Sequence, residues 1–206
     1  MENLKIHLTI LISFLSFSAA FAQNDPKIQE AFSASYKAES GENYALGVSG
    51  LKAIYNAEDY SVNVRLGWLS LLSKQYTESV LYYDRAIKLK PYAIEARFGM
   101  IKSLNAMESW DKVKEQYEAI LKIDPMNTTS LYWLGVLLYN RKDYDNAARN
   151  FEKIVNLYPM DYGSVIMLAW TRLYQGKKSD ARVLFNHALL LAPNDASAAS
   201  GLNQLK

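Results

Sequence analysis

The sequence predicts an all-α fold, a solenoid of stacked helix–turn–helix hairpins, and three observations carry the prediction. Four of the five prolines, Pro91, Pro125, Pro159 and Pro193, stand 34 residues apart. Apolar and small residues recur with the same period. Within each period they fall at helical spacing in two blocks of roughly fourteen residues, separated by polar turns such as Asn140-Arg141-Lys142-Asp143.

The columns show how each hairpin is meant to pack. Leu66, Met100, Leu134 and Leu168 share one phase, followed directly by Gly67, Ile101, Gly135 and Ala169. Tyr76, Trp110, Tyr144 and Lys178 come after the turn, then Ser79, Val113, Ala147 and Ala181. Tyr83, Tyr117, Phe151 and Phe185 form an aromatic column, with Ala86, Ile120, Ile154 and Ala188 next on the same helix. Two short helices remove too little surface from water to offset the entropy of ordering them, so each hairpin must stack on a neighbour. Small residues let helix backbones approach, and the aromatic fills the gap opposite. A proline at the end of the second helix stops it, and can also begin the next helix, where its missing N–H costs nothing.

This pattern resembles the tetratricopeptide repeat. Residues 128–161 carry the signature best, with Leu134-Gly135, Tyr144, Ala147, Phe151 and Pro159 in register and Trp133 two places after the family's tryptophan column, here Leu131. Residues 60–93 carry Leu66-Gly67, Tyr76, Tyr83, Ala86 and Pro91. Residues 162–195 keep Leu168, Ala181, Phe185, Ala188 and Pro193, with Lys178 in place of the turn aromatic. Residues 94–127 depart furthest, with Ile101 for the glycine and Val113 and Ile120 for the alanines, so bulkier packing is expected there. The resemblance implies a right-handed superhelical solenoid.

The flanks complete the layout. Residues 23–59 read as a degenerate first repeat, with Phe32 and Tyr36 on one helix, Tyr44, Leu51 and Ile54 on the other, and no closing proline. Residues 196–206 read as a capping helix, because the last unit of a solenoid needs a polar outer face. Residues 1–22 have the three-part pattern of a cleaved signal peptide: Lys5, an apolar stretch around Leu8 to Phe17, and Ala20-Phe21-Ala22. The uncharged run is short for a bilayer span, although a retained anchor is the alternative. An exported protein of the periplasm or the exterior of a bacterium is therefore expected, with 184 of its 206 residues remaining after processing.

Composition narrows the function classes. The net charge is +2, with lysines and arginines interspersed among acids, as in Asp111-Lys112-Val113-Lys114-Glu115. Neither nucleic acid nor an acidic membrane is favoured by such a distribution. There is no cysteine, and His187 is the one histidine beyond residue 22. A thiol nucleophile, a histidine pair for zinc and a phosphate-binding glycine loop are all missing from the pattern, so no enzyme, cofactor or metal is expected.

What remains is a binding surface. In tetratricopeptide arrays the first helix of each hairpin lines a concave groove, and the resemblance places three columns there. They read Val64, Phe98, Tyr132 and Ile166; Trp68, Lys102, Val136 and Trp170; and Leu71, Asn105, Tyr139 and Leu173. Family members that clamp a terminal carboxylate use Lys, Arg and Asn in these columns, whereas here only Lys102 and Asn105 are polar. A protein partner offering an apolar segment fits better, with Trp68 and Trp170 the sharpest anchors because nothing in the repeat pattern demands indole there, and with the filling of an inter-helix gap as the other reading of these two residues. The alternatives are a glycan stacked on Trp68, Tyr132, Tyr139 and Trp170, and self-association through the groove.

Overall fold

The computed structural model describes residues 25–206, so the leader reading for residues 1–22 lies outside the described residues. The described residues form eleven α-helices and no strand. They are α1 (Pro26–Ser40), α2 (Tyr44–Lys52), α3 (Tyr60–Leu72), α4 (Tyr76–Leu89), α5 (Ile94–Ala106), α6 (Trp110–Ile123), α7 (Thr128–Asn140), α8 (Tyr144–Leu157), α9 (Tyr162–Tyr174), α10 (Lys178–Leu191) and α11 (Ala196–Asn203). Each helix packs on the one before and the one after it, the connectivity of a solenoid. None is long and apolar enough to cross a membrane.

The four prolines do not begin helices. Each lies two residues past the end of α4, α6, α8 or α10, in the turn, and the next helix starts three residues later. Side-chain caps do the starting: Asp59 accepts from the Val62 N–H at 3.0 Å, Asn127 from Ser130 at 3.0 Å, Asp161 from Ser164 at 3.2 Å and Asp195 from Ala198 at 2.7 Å. Each satisfies one backbone donor that the first turn leaves free. Among the first helices of the hairpins α5 is the exception, because Ala93 stands at its cap position with no side-chain oxygen to offer. Pro26 alone occupies a first-turn position, in α1.

The aromatic column is the centre of the packing. Phe151 and Phe185 are fully buried, Tyr83 nearly so, and full burial of one such ring stabilises the fold by roughly 1.5–3 kcal/mol. Glycine makes room for these rings. A Cβ on Gly67 would stand 3.0 Å from the Tyr83 ring, and one on Gly135 would stand 2.8 Å from Phe151. Gly99 and Gly201, on the helix of the following unit, come closer still, with Cβ positions 2.2 Å from Tyr83 and Phe185. Tyr83 is thus held between a glycine of its own hairpin and a glycine of the next.

The second full repeat breaks this rule. Tyr117 has Ile101 where Tyr83 has Gly67, and Trp133 where Tyr83 has Gly99. Side chains at both places keep the helices apart. Helices α3 and α5 touch, as do α7 and α9, but α5 and α7 do not pack comparably. The bulkier packing expected of residues 94–127 therefore appears as a gap beside α6.

The terminal units dock through polar contacts as well. Arg65 of α3, 6% exposed, donates to Ser35 Oγ at 2.9 Å, pairs with Glu39 and covers the Tyr36 ring at 3.8 Å. Burial acts to raise the Glu39 pKa, but hydrogen bonds from Trp68 and Arg65 and the Arg65 charge outweigh it and hold the carboxyl below its ordinary value. At the other end Arg182 donates to the Leu205 carbonyl at 2.9 Å, tying the chain end to α10.

Candidate functional site

The first helices of the four hairpins, α3, α5, α7 and α9, carry the three columns assigned to the groove. Eleven of the twelve side chains keep solvent exposure: Lys102 and Asn105 are fully in the exposed class, and Val64, Trp68, Leu71, Phe98, Tyr132, Val136, Tyr139, Trp170 and Leu173 are half-buried. Ile166 is the correction. It is 8% exposed and packs with Phe185, Ala169 and Ala198, because the capping helix α11 closes over that end of the array.

Trp68 and Trp170 keep part of their surface on the groove while packing also uses their indoles. Trp68 Nε1 donates to Glu39 at 2.8 Å, and the Lys102 ammonium stands 4.7 Å above its ring. Trp170 Nε1 donates to Ser197 Oγ at 2.8 Å, while its ring meets Phe185 edge-on at 5.1 Å. Both residues bridge a full repeat to a terminal unit. Tyr174 continues this aromatic group, stacked between Trp170 at 6.1 Å and Tyr144 at 5.3 Å, with Tyr139 edge-on to both tyrosines. Burial, reinforced by Tyr174 and Tyr144, pushes the Tyr139 phenol up to about 12.

Between these two ends lies a cleft of ≈ 800 Å³. Helix α5 contributes Phe98, Lys102 and Asn105, helix α6 contributes Trp110 and Tyr117, and helix α7 contributes Trp133, Val136 and Asn140. Four of the groove residues therefore come together here. The two tryptophans were outside the groove columns, yet they are 46% and 49% exposed and stand on different walls. Trp133 and Thr129 also border a second hollow of ≈ 810 Å³ on the edge of the array, with Leu157, Tyr158 and Met160. The signal for Trp133 lay in its own column, where Gly99 and Gly201 are minimal and a tryptophan cannot be accommodated in the same way.

The chemistry available in the cleft is adhesive. Its lining is mostly apolar and aromatic, Lys102 is its one charged residue, and no group of three metal-ligating side chains occurs among the described residues. An ion pair ties the start of α6 to the end of α7, with Arg141 bound to Asp111 at 2.8 Å.

Comparison with known proteins agrees with the register. Models of the tetratricopeptide repeat match residues 60–92 and 129–159. A tetratricopeptide repeat protein from Parabacteroides merdae superposes with a TM-score of 0.73 at 19% identity, over 88% of this chain and 73% of that one. MamA superposes at 0.69 with 12% identity, over 80% and 91% of the two chains. MamA from Desulfovibrio magneticus superposes at 0.67 with 17% identity, over 84% and 98%. At such identities the likeness is one of fold. No curated protein sequence matches the chain. With residues 60–92 and 129–159 matched by the repeat's own models and the hairpins α5–α6 and α9–α10 stacked in the same 34-residue register, the chain carries tetratricopeptide repeats in a tetratricopeptide-repeat fold.

Proposed function

We propose that the protein is a non-catalytic protein-interaction scaffold or assembly factor of the bacterial cell envelope, exported on residues 1–22, that seats a segment of a partner protein against its first helices. The carrying observation is that this face keeps large apolar and aromatic side chains in contact with solvent after the core is complete, from Val64 and Phe98 to Val136 and Leu173. Exposed aromatic area at low entropic cost is what protein interfaces use as anchors.

A glycan reading is less well supported. A sugar needs a free aromatic face with polar groups beside it, and in the largest aromatic group Tyr174 lies between the rings of Trp170 and Tyr144. The test is a photo-crosslinking residue placed at Leu173 or Val136 of the full chain in intact cells. The expected outcome is a covalent adduct with another protein, recovered in the envelope fraction. Adducts confined to a second copy of the chain would establish self-association instead. Retention on purified peptidoglycan without any protein adduct would overturn the proposal in favour of glycan.

A further inference from the structure

We propose that the hollow on the edge of the array, bordered by the start of α7, the end of α8 and the start of α9, binds a neutral pyranose unit of a glycan. The site is separate from the groove and independent of the partner seated there, since neither Val136 nor Leu173 borders it.

Uncovered rings come first. Tyr158 is 57% exposed and meets no other ring among the described residues. Trp133, 49% exposed, meets only Tyr132, edge-on at 5.3 Å. In the large aromatic group of the groove, by contrast, Tyr174 is covered by Trp170 and Tyr144. Tyr and Trp each join a broad apolar body to a polar tip, so a ring left uncovered can take the C–H face of a sugar.

Polar atoms stand beside these rings. Asp161 Oδ2 accepts from both the N–H and the hydroxyl of Ser164, while Oδ1 has no hydrogen-bond partner among the described residues. The hydroxyls of Tyr132, Thr128 and Thr129 and the Nε1–H of Trp133 are unpartnered in the same sense. Asp161 Oδ1 and the Tyr132 hydroxyl converge on Gly163, where a Cβ would stand 3.9 Å from one and 3.7 Å from the other. Packing does not ask for glycine here: nothing comes nearer than 3.6 Å to that Cβ position, against 2.2 Å at Gly99 and Gly201. Glycine costs a helix stability. At Gly163 the missing side chain keeps two oxygens open to the hollow.

This mixture selects the ligand. An apolar protein segment pressed into the hollow would strip water from these donors and acceptors and give no hydrogen bond in return. A pyranose has an apolar ring face and hydroxyls that both donate and accept, which answers every one of them. Asp161 is the one charged residue of the lining, and its charge is offset by the N-terminus of α9 that it caps, so it serves as an acceptor rather than as a counterion. An acidic sugar would meet a like charge.

Isothermal titration of the purified protein with neutral trisaccharides of glucose, mannose, galactose, xylose and N-acetylglucosamine tests this, with oligogalacturonate as the acidic control. At least one neutral trimer should bind with a Kd on the order of 0.1–1 mM, and oligogalacturonate at least about tenfold more weakly. Tyr158→Ala, at an exposed position that leaves folding intact, should weaken that trimer about tenfold, whereas Tyr158→Phe, which keeps the ring, should bind within about threefold of the unaltered chain. Gly163→Leu, which lays a side chain over Asp161 Oδ1 and Tyr132, should abolish binding while the helical circular dichroism is retained. No heat from any neutral trimer at about 10 mM, equal or tighter binding of the acidic oligomer, or undiminished binding by both Tyr158→Ala and Gly163→Leu would overturn the proposal. Crosslinking from Leu173 reads the groove alone, so the scaffold reading is tested apart from this one.

Discussion

Tyr83 and Tyr117 occupy the same register in successive hairpins and meet opposite neighbours. Tyr83 lies between Gly67 and Gly99 and is 2% exposed, and the joint it forms is closed. Tyr117 lies beside Ile101 and Trp133, and the joint is open by a cleft of ≈ 800 Å³. The two hairpins share helix lengths of 13 and 14 residues, the same turn and a proline two residues past the end. Phe151, with Gly135 on its own hairpin and Met167 facing it from the next, is still fully buried, so the joint stays open where glycine is missing from both sides of the aromatic.

The largest effect comes from forcing the closed joint. Gly99→Ala places a methyl 2.2 Å from the Tyr83 ring, so the helices must separate, and urea unfolding should show a loss of about 1–3 kcal/mol despite alanine's better helix propensity. An alkaline titration distinguishes the joints next. Burial raises the Tyr83 phenol well above its ordinary value, partly opposed by the Arg65 charge, so the fold favours the neutral form. The resulting stability is complete below about pH 10 and is lost as pH rises further toward the folded value. Tyr83→Phe should flatten this alkaline loss. Tyr117→Phe should flatten it less, because burial raises that phenol to a smaller extent.

Smaller changes sharpen the same contrast. Trp133→Ala at the open joint should shift unfolding by about 1 kcal/mol or less, since the indole is half exposed and alanine suits a helix. An effect as large as that of Gly99→Ala would show Trp133 to be a packing residue. The smallest change is at the helix entries: α7 is capped by Asn127, whereas α5 begins at uncapped Ala93. Ala93→Asp should raise the melting midpoint, with a gain of about 0.5–1 kcal/mol.

The period alone made the hairpins and their order legible, because a 34-residue recurrence of apolar, small and aromatic residues leaves one way to bury them. The proline column marked the turns but not the helix starts, since Asp and Asn caps at 59, 127, 161 and 195 follow a separate rule of backbone satisfaction. Trp68 and Trp170 read as free anchors because the groups that engage them, Glu39 and Ser197, sit in the degenerate first unit and the cap, where no repeat column exists to reveal a contact. Ile166 shared its column with half-buried residues and was covered by α11 for the same reason. Trp110 and Trp133 were overlooked as binding residues because they lie off the groove columns, and their exposure depends on a gap created jointly by Ile101 and Trp133 itself.

The ring stack of Trp170, Tyr174 and Tyr144 links α9 to α8 across the boundary between two repeats. Trp170 and Tyr174 share α9, so the Tyr144–Tyr174 pair alone, 5.3 Å apart at an interplanar angle of 16°, crosses the boundary and follows how far one hairpin is rotated on the next. Coupled aromatic transitions are sensitive to both quantities, so the near-ultraviolet circular dichroism of this chain acts as a built-in gauge of superhelical pitch. A partner that winds or unwinds the array would announce itself optically without any attached label.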